Sequence, residues 1–268
     1  MDQPTMFKPY RAAADIDVLP SYFPIPGMGI LPINAFLLKA AEPVLVDTGL
    51  VLLSDGYIEA LSSVIDPADL RWLWLTHCDQ DHVGSLHRLL KLAPQMRVVT
   101  TFIGVGKMSL FAPLPMDRVY LLNPGQSLSV GDRTLMAVKP PTYDAPETTG
   151  FLDTKSRAFF SADCFGALMS EPVENAADIR PEDLRDGMVT WATVDAPWLH
   201  LTDGIRFAQS LGRIRALEPK VILSAHLPAV HGSGDELLDH LAAVLAAEPF
   251  VGPDQPALEA MMAKMAAK

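Results

Sequence analysis

The sequence predicts an α/β fold, an αββα four-layer sandwich with two facing sheets and helices on the outside. Three observations carry this expectation. Short apolar runs recur in both halves of the chain, each emptying into a polar turn. Segments with helical spacing lie between them, so each half has its own strands and its own helices. No linker-like stretch and no exact repeat breaks the 268 residues, so residues 1–268 are expected to form a single domain.

The elements follow in order. Ile16–Leu19 and Ile33–Leu38 read as early strands. Pro43–Val46 is a buried strand emptying into Asp47-Thr48-Gly49. Leu53–Ile65 has helical spacing, closed by Asp66-Pro67. Leu73-Trp74-Leu75 is a further buried strand, and Val83–Leu92 a helix with Leu86, Leu89 and Leu90 on one side. Then come short β runs at Val119–Leu122, Ser127–Val130, Thr134–Val138, Thr149–Leu152 and Ala158–Ser161, with hairpin turns at Gly131-Asp132 and Asp153-Thr154-Lys155. Ala167–Asp203 is long, polar and weakly patterned, as active-site covers often are. Asp203–Leu217 is an amphipathic helix, Val221–Leu223 a buried strand, Asp235–Ala247 a helix, and Pro256–Lys268 a last helix.

Composition limits the function. Hydrophobic residues make up 49% and charged residues 20%, enough for a large core. The net charge is −11 with Lys and Arg scattered, so neither nucleic acid nor membrane is expected as a partner. No apolar run approaches the roughly 20 residues of a membrane span. The N-terminus has no basic segment followed by an apolar one, so a cytoplasmic location is expected. Two cysteines give no disulfide framework.

The chemistry concentrates in His77-Cys78-Asp79-Gln80-Asp81-His82, directly after an apolar strand. Two imidazoles and two carboxylates within six residues suit zinc, iron or manganese. A turn lets alternate side chains converge while Asp81-His82 swings toward a second ion. Cys78 and Cys164 alternate away from these residues and read as buried, inert thiols. His226 follows a buried strand directly and is preferred to His231 as a further ligand. His87, His200 and His240 read as surface residues. Trp191 and Trp198 read as core residues or as walls of the pocket.

The run Leu75-Thr76-His77-Cys78-Asp79-Gln80-Asp81-His82-Val83-Gly84 resembles the signature loop of the metallo-β-lactamase superfamily. Val46-Asp47-Thr48-Gly49 is similar to its first strand-end motif. Ser161–Gly166 is similar to the strand end with the bridging aspartate, and Ile222–His226 to the last ligand strand. Within that superfamily, Asp79 and the segment Trp191–Pro197 resemble the flavodiiron branch, without its flavodoxin domain. The resemblance implies a metallo-β-lactamase-type sandwich holding two metal ions. His77 and Asp79 go to the first; Asp81, His82 and His226 go to the second; Asp163 bridges. Asp81 is the implied catalytic carboxylate, and Asp47 supports the ligand loop.

One position departs from the family. It places a histidine on the loop before the bridging aspartate, and this chain has none between His87 and His200. Tyr143 stands there, with Asp144 as the alternative ligand. Both are hard oxygen donors, which favours ferric iron over zinc; iron is the favoured metal, with zinc and manganese as alternatives. The resemblance implies a flavodiiron-like protein that binds or reduces oxygen or a related small molecule. An external electron donor follows from it, and a homodimer is an open option. Two other readings stand beside it: a metal-dependent hydrolase of an ester, thioester, lactone or phosphoester acting through metal-bound hydroxide, and a binding protein with one incomplete site.

Overall fold

Alternation along the strands decides the architecture. In Val44-Leu45-Val46, Trp72-Leu73-Trp74, Ala158-Phe159-Phe160 and Val221-Ile222-Leu223 every side chain is buried. Odd and even positions nevertheless enter different cores, because successive side chains leave opposite faces of a strand.

The computed structural model describes residues 3–232 and 234–266. The first sheet contains β1 (Thr5–Met6), β2 (Tyr10–Ala13), β3 (Ile16–Ile25), β4 (Gly29–Leu38), β5 (Val44–Val46), β6 (Trp72–Trp74), β7 (Arg97–Thr100) and β8 (Val119–Leu121). Its order is β1-β3-β4-β5-β6-β7-β8, with β2 on β3, and it is parallel from β5 to β8. The second contains β9 (Ser127–Ser129), β10 (Thr134–Val138), β11 (Gly150–Asp153), β12 (Ala158–Phe160), β13 (Val221–Leu223) and β14 (Val230–His231), in reverse order from β14 to β9. Its one parallel pair is β12 with β13.

Three apolar layers follow. Phe36, Val46, Trp74, Phe151, Phe160 and Leu223 fill the space between the sheets. Phe151 stacks on Phe160 at 4.3 Å and lies 4.5 Å from Trp74, contacts that add roughly 1 kcal/mol each to the area they bury. Leu37, Leu45, Leu73 and Val98 face outward. They meet α1 (Ser54–Ser62), α2 (Leu86–Leu92) and α3 (Phe102–Ser109) through Tyr57, Leu61, Leu86, Leu89 and Met108. On the far side Phe159 and Ile222 meet α4 (Pro181–Asp195), α5 (Gly204–Arg215) and α6 (Asp235–Ala243). This is the expected αββα sandwich.

Several elements differ from the sequence reading. β3 and β4 each run ten residues, longer than Ile16–Leu19 and Ile33–Leu38. Pro20, Pro24 and Pro32 disguise them, since proline lacks a ladder donor. The Pro20 carbonyl faces β1 and the Pro32 carbonyl faces His226, so both prolines turn their nitrogens away from the β3–β4 ladder. Pro24 faces the same way as Pro20 by alternation. Short β1, β2, β7 and β14 and helix α3 were not anticipated. The tail forms α7 (Gln255–Ala266); Ala267 and Lys268, the end of the helix expected over Pro256–Lys268, lie outside the described residues. Among the described residues no helix is long and apolar enough to cross a membrane.

Candidate metal centre

Three strand ends build the centre. His77 follows β6, Asp163 follows β12 and His226 follows β13, each three residues past the strand. The backbone there leaves ordinary conformations: Asp47 has φ 59° and Ala162, next to Asp163, φ 53°. Left-handed backbone costs a residue with a Cβ roughly 1–2 kcal/mol, so the surrounding contacts hold these turns in place. The His77–Gly84 loop is pinned to the turn after β5. Thr48 donates from its amide and hydroxyl to the His82 carbonyl, at 2.7 and 2.8 Å. Gly84 is obligatory, because a Cβ there would lie 2.2 Å from the Val51 nitrogen and 2.3 Å from the Gly49 oxygen.

The imidazoles are aimed by their Nδ1 atoms. His226 Nδ1 donates to the Pro32 carbonyl at 2.8 Å. His82 Nδ1 is 2.9 Å from Asp47 Oδ2, and Asp47 also accepts from the Thr76 amide and hydroxyl. His77 Nδ1 is 3.1 Å from the Thr76 hydroxyl. Each Nε2 is thereby turned inward, the arrangement that fixes a ligating histidine. Asn34 clamps the His226 turn, its side chain donating to the Ser224 and Leu227 carbonyls.

Asp163 lies at the centre. Its Oδ2 is 3.0 Å from His77 Nε2, while its Oδ1 is 3.1 Å from His82 Nε2 and 3.2 Å from His226 Nε2. The two oxygens thus face two different groups. Asp81, His82 and His226 form one cluster of converging donors; His77, Asp79 and Asp144 form another. His82 Nε2 and Asp163 Oδ1 are buried without a hydrogen-bond partner. Orphaned buried polar atoms aimed at one point fit cations. So does the donor chemistry of three imidazoles and four carboxylates.

The electrostatics agree. Burial opposes charge on His226, but Asp163 and Asp81 push its pKa up to about 9. His77 and His82 are raised likewise against burial, His77 chiefly by Asp163 and His82 chiefly by Asp81 and Asp163. Burial also opposes ionisation of Asp163, yet the three imidazoles hold it well below the carboxylate range. Burial together with Asp163 raises Asp144 to about 6. The centre draws positive charge, and protons on these groups are what a metal ion would displace.

Tyr143 and Asp144 part company. Asp144 enters the donor clusters, its Oδ1 3.9 Å from His77 Nε2. The Tyr143 ring packs 5.1 Å from Trp198 and under Lys139 Nζ at 3.7 Å, on the Trp198 side of the loop. His231 is exposed on β14 and absent from the donor clusters. His87 is exposed; His200 and His240 are half-buried. Cys78 and Cys164 are buried, and burial pushes both thiols up to about 12.

Two participants escaped the sequence reading. Asp195 groups with Asp144 and Asp163, and burial with Asp163 raises it to about 7. It sits at the end of α4, inside the stretch read as an irregular cover. Pro181 opening the helix and Leu184, Met188 and Ala192 at four-residue spacing were the available signals. The same helix sets Trp191 5.3 Å from the His226 ring. Lys107, on α3, is 2.6 Å from buried Glu147 and 3.6 Å from Asp79, and no motif marks it.

Comparison with known proteins agrees with this fold. A flavo-diiron protein of Clostridium acetobutylicum is 29% identical over 140 residues, 52% of this chain and 35% of that protein. An anaerobic nitric oxide reductase flavorubredoxin of Salmonella typhi is 27% identical over 134 residues, 50% of this chain and 28% of its own. The chain spans about a third of these curated relatives. Rubredoxin oxygen:oxidoreductase from Desulfovibrio gigas superposes with a TM-score of 0.77 at 19% identity, covering 89% of this chain and 61% of that one. A fragment of a putative diflavin flavoprotein from Nostoc has a TM-score of 0.74 at 17% identity, covering 91% and 97%. Residues 31–226 match the family described as ODP family beta lactamase. The chain belongs to the ODP beta-lactamase family.

Proposed function

We propose that residues 1–268 act as one domain holding two iron ions, and that the protein reduces oxygen or a related small molecule, such as nitric oxide, with electrons from an external donor. The observation that carries this reading is the carboxylate count around Asp163. Asp79, Asp81, Asp144 and Asp163 supply four negative charges, which balance two divalent ions, and Asp195 beside Asp144 and Asp163 offers a fifth, which matches one ferrous and one ferric ion. Hydrolytic use of such a centre depends on metal-bound hydroxide, and here the carboxylates already satisfy the charge.

In this reading His77, Asp79 and Asp144 hold the first ion, Asp81, His82 and His226 the second, and Asp163 both. Bound iron would supply the one-electron chemistry that no side chain here provides. The chain orients the donors through Asp47, Thr76 and the Pro32 carbonyl, and Trp191 walls the His226 side. A net charge of −11 fits a small-molecule substrate better than nucleic acid. A homodimer and a cytoplasmic location belong to the same proposal.

The test is metal analysis of protein purified without chelator or added metal, paired with uptake of oxygen and nitric oxide from a chemically reduced donor dye. Two irons per chain, and uptake that Asp163→Asn abolishes, are expected. Two zincs, no uptake and cleavage of an aryl ester or thioester would replace this reading with the hydrolase.

A further inference from the structure

A second recognition feature lies on the far side of Tyr143. A cleft of about 490 Å³ opens between the β10 side of the second sheet and helix α5. Met136, Val138, Phe207 and Ile214 supply apolar floor, and the rings of Tyr143 and Trp198 form one end. Lys139, Arg206 and Arg213 also line it, and no Asp or Glu does. In a chain with 32 acidic and 21 basic residues, three cations and no carboxylate around one apolar cleft is a marked local reversal of charge.

The two arginines are available. Among the described residues every other Arg makes an ion pair or a side-chain hydrogen bond, as Arg215 does with Asp235 and Asp239 and Arg157 with the Leu217 carbonyl. Arg206 and Arg213 have no ion pair and no side-chain hydrogen bond among the described residues; the Asp203 contact goes to the Arg206 backbone amide. They stand seven residues apart on α5, roughly 10 Å along the helix, with Ser210 between them on the same face. Free guanidiniums over an apolar floor recognise carboxylate or phosphate, and aromatic walls recognise a flat ring. Lys139 is already engaged, donating to the Pro146 and Thr148 carbonyls at 2.9 Å, so the arginines carry the recognition.

We infer that this cleft binds a planar aromatic anion, its ring against Trp198 and Tyr143 and its carboxylate or phosphate on Arg206 and Arg213. Occupancy reaches the metal centre through one short path. Trp198 Nε1 donates to the Tyr143 carbonyl at 2.8 Å, and the next residue is Asp144. The inference does not depend on which metal the centre holds.

The experiment follows tryptophan fluorescence of the purified protein titrated with 2-naphthoate and with adenosine monophosphate. Naphthamide and adenosine serve as uncharged controls. Saturable quenching by at least one anion is expected, about tenfold or more weaker in the double variant Arg206→Gln, Arg213→Gln. Both arginines are exposed, so that variant should keep the wild-type fold, checked by its circular dichroism. Trp198→Phe should remove the quench. Which anion binds more tightly distinguishes a carboxylate ligand from a nucleotide-like phosphate. No saturable response to either anion, equal binding of the uncharged controls, or undiminished binding by the double variant would overturn the inference.

Discussion

Asp47 illustrates how much of the centre depends on a residue that touches no substrate. It accepts from Thr76 twice and holds His82 Nδ1, all from a left-handed backbone. Asp47→Asn keeps the shape but loses the anionic acceptor, so metal affinity is expected to fall roughly 10–100-fold, measured by competition with a chromophoric chelator. An unchanged affinity would remove Asp47 from the account. The choice between Tyr143 and Asp144 is tested in the same way. Asp144→Ala should release the first metal selectively, whereas Tyr143→Phe should leave metal content intact and the iron-loaded, oxidised protein should show no phenolate charge-transfer band. Loss of metal from Tyr143→Phe would reverse the assignment. The sequence left this pair open for a physical reason. Neighbouring side chains on an irregular Pro-rich loop follow no alternation rule, so only packing against Trp198 and Lys139 decides where the Tyr143 ring goes. His77, Asp79, Asp81 and His82 were legible because one short turn holds all four.

At the level of elements, the strand ends were readable and the covering helix was not. Apolar triplets with Asp47, His77, Asp163 or His226 within three residues of their ends mark β5, β6, β12 and β13. Helix α4 carries Gly187, Thr190, Thr193 and Val194, weak helix formers that hide its buried stripe. That helix is seated by two glycines. A Cβ on Gly187 would lie 2.2 Å from the Leu168 oxygen, and one on Gly166 would meet the Trp191 ring at 2.6 Å and the His226 Cβ at 2.8 Å. Gly187→Ala should therefore cost on the order of 1–3 kcal/mol in denaturant unfolding, since backbone must shift. Gly166→Ala should displace Trp191 from His226, visible as a change in tryptophan emission with weakened binding of the second metal. Gly84→Ala meets backbone from three residues and should be the most damaging of the three, with metal lost from both positions. A Gly84→Ala protein of wild-type stability and metal content would show that the pinning of the ligand loop is misread.

Over the whole molecule, the sandwich was legible because its three apolar layers are written as alternation in short strands and four-residue spacing in helices. What escaped were the edges: two-residue strands lie below any periodicity, and prolines on the outward side of β3 concealed its length. Charge also acts at this scale. Within a net charge of −11, Asp79, Asp81, Asp144, Asp163 and Asp195 gather in overlapping groups, and the three imidazoles beside them offset only part of that charge. Metal binding to the folded state alone should therefore raise stability, with Tm about 5 °C or more above that of chelated protein. Equal Tm values would mean the centre binds metal weakly or not at all. The most direct measurement is anomalous diffraction at the iron and zinc edges from crystals of protein purified without chelator. Two iron peaks are expected, one on each side of Asp163, with His77, Asp79 and Asp144 around one and Asp81, His82 and His226 around the other. A single peak, or two peaks that Asp163 does not join, would contradict it.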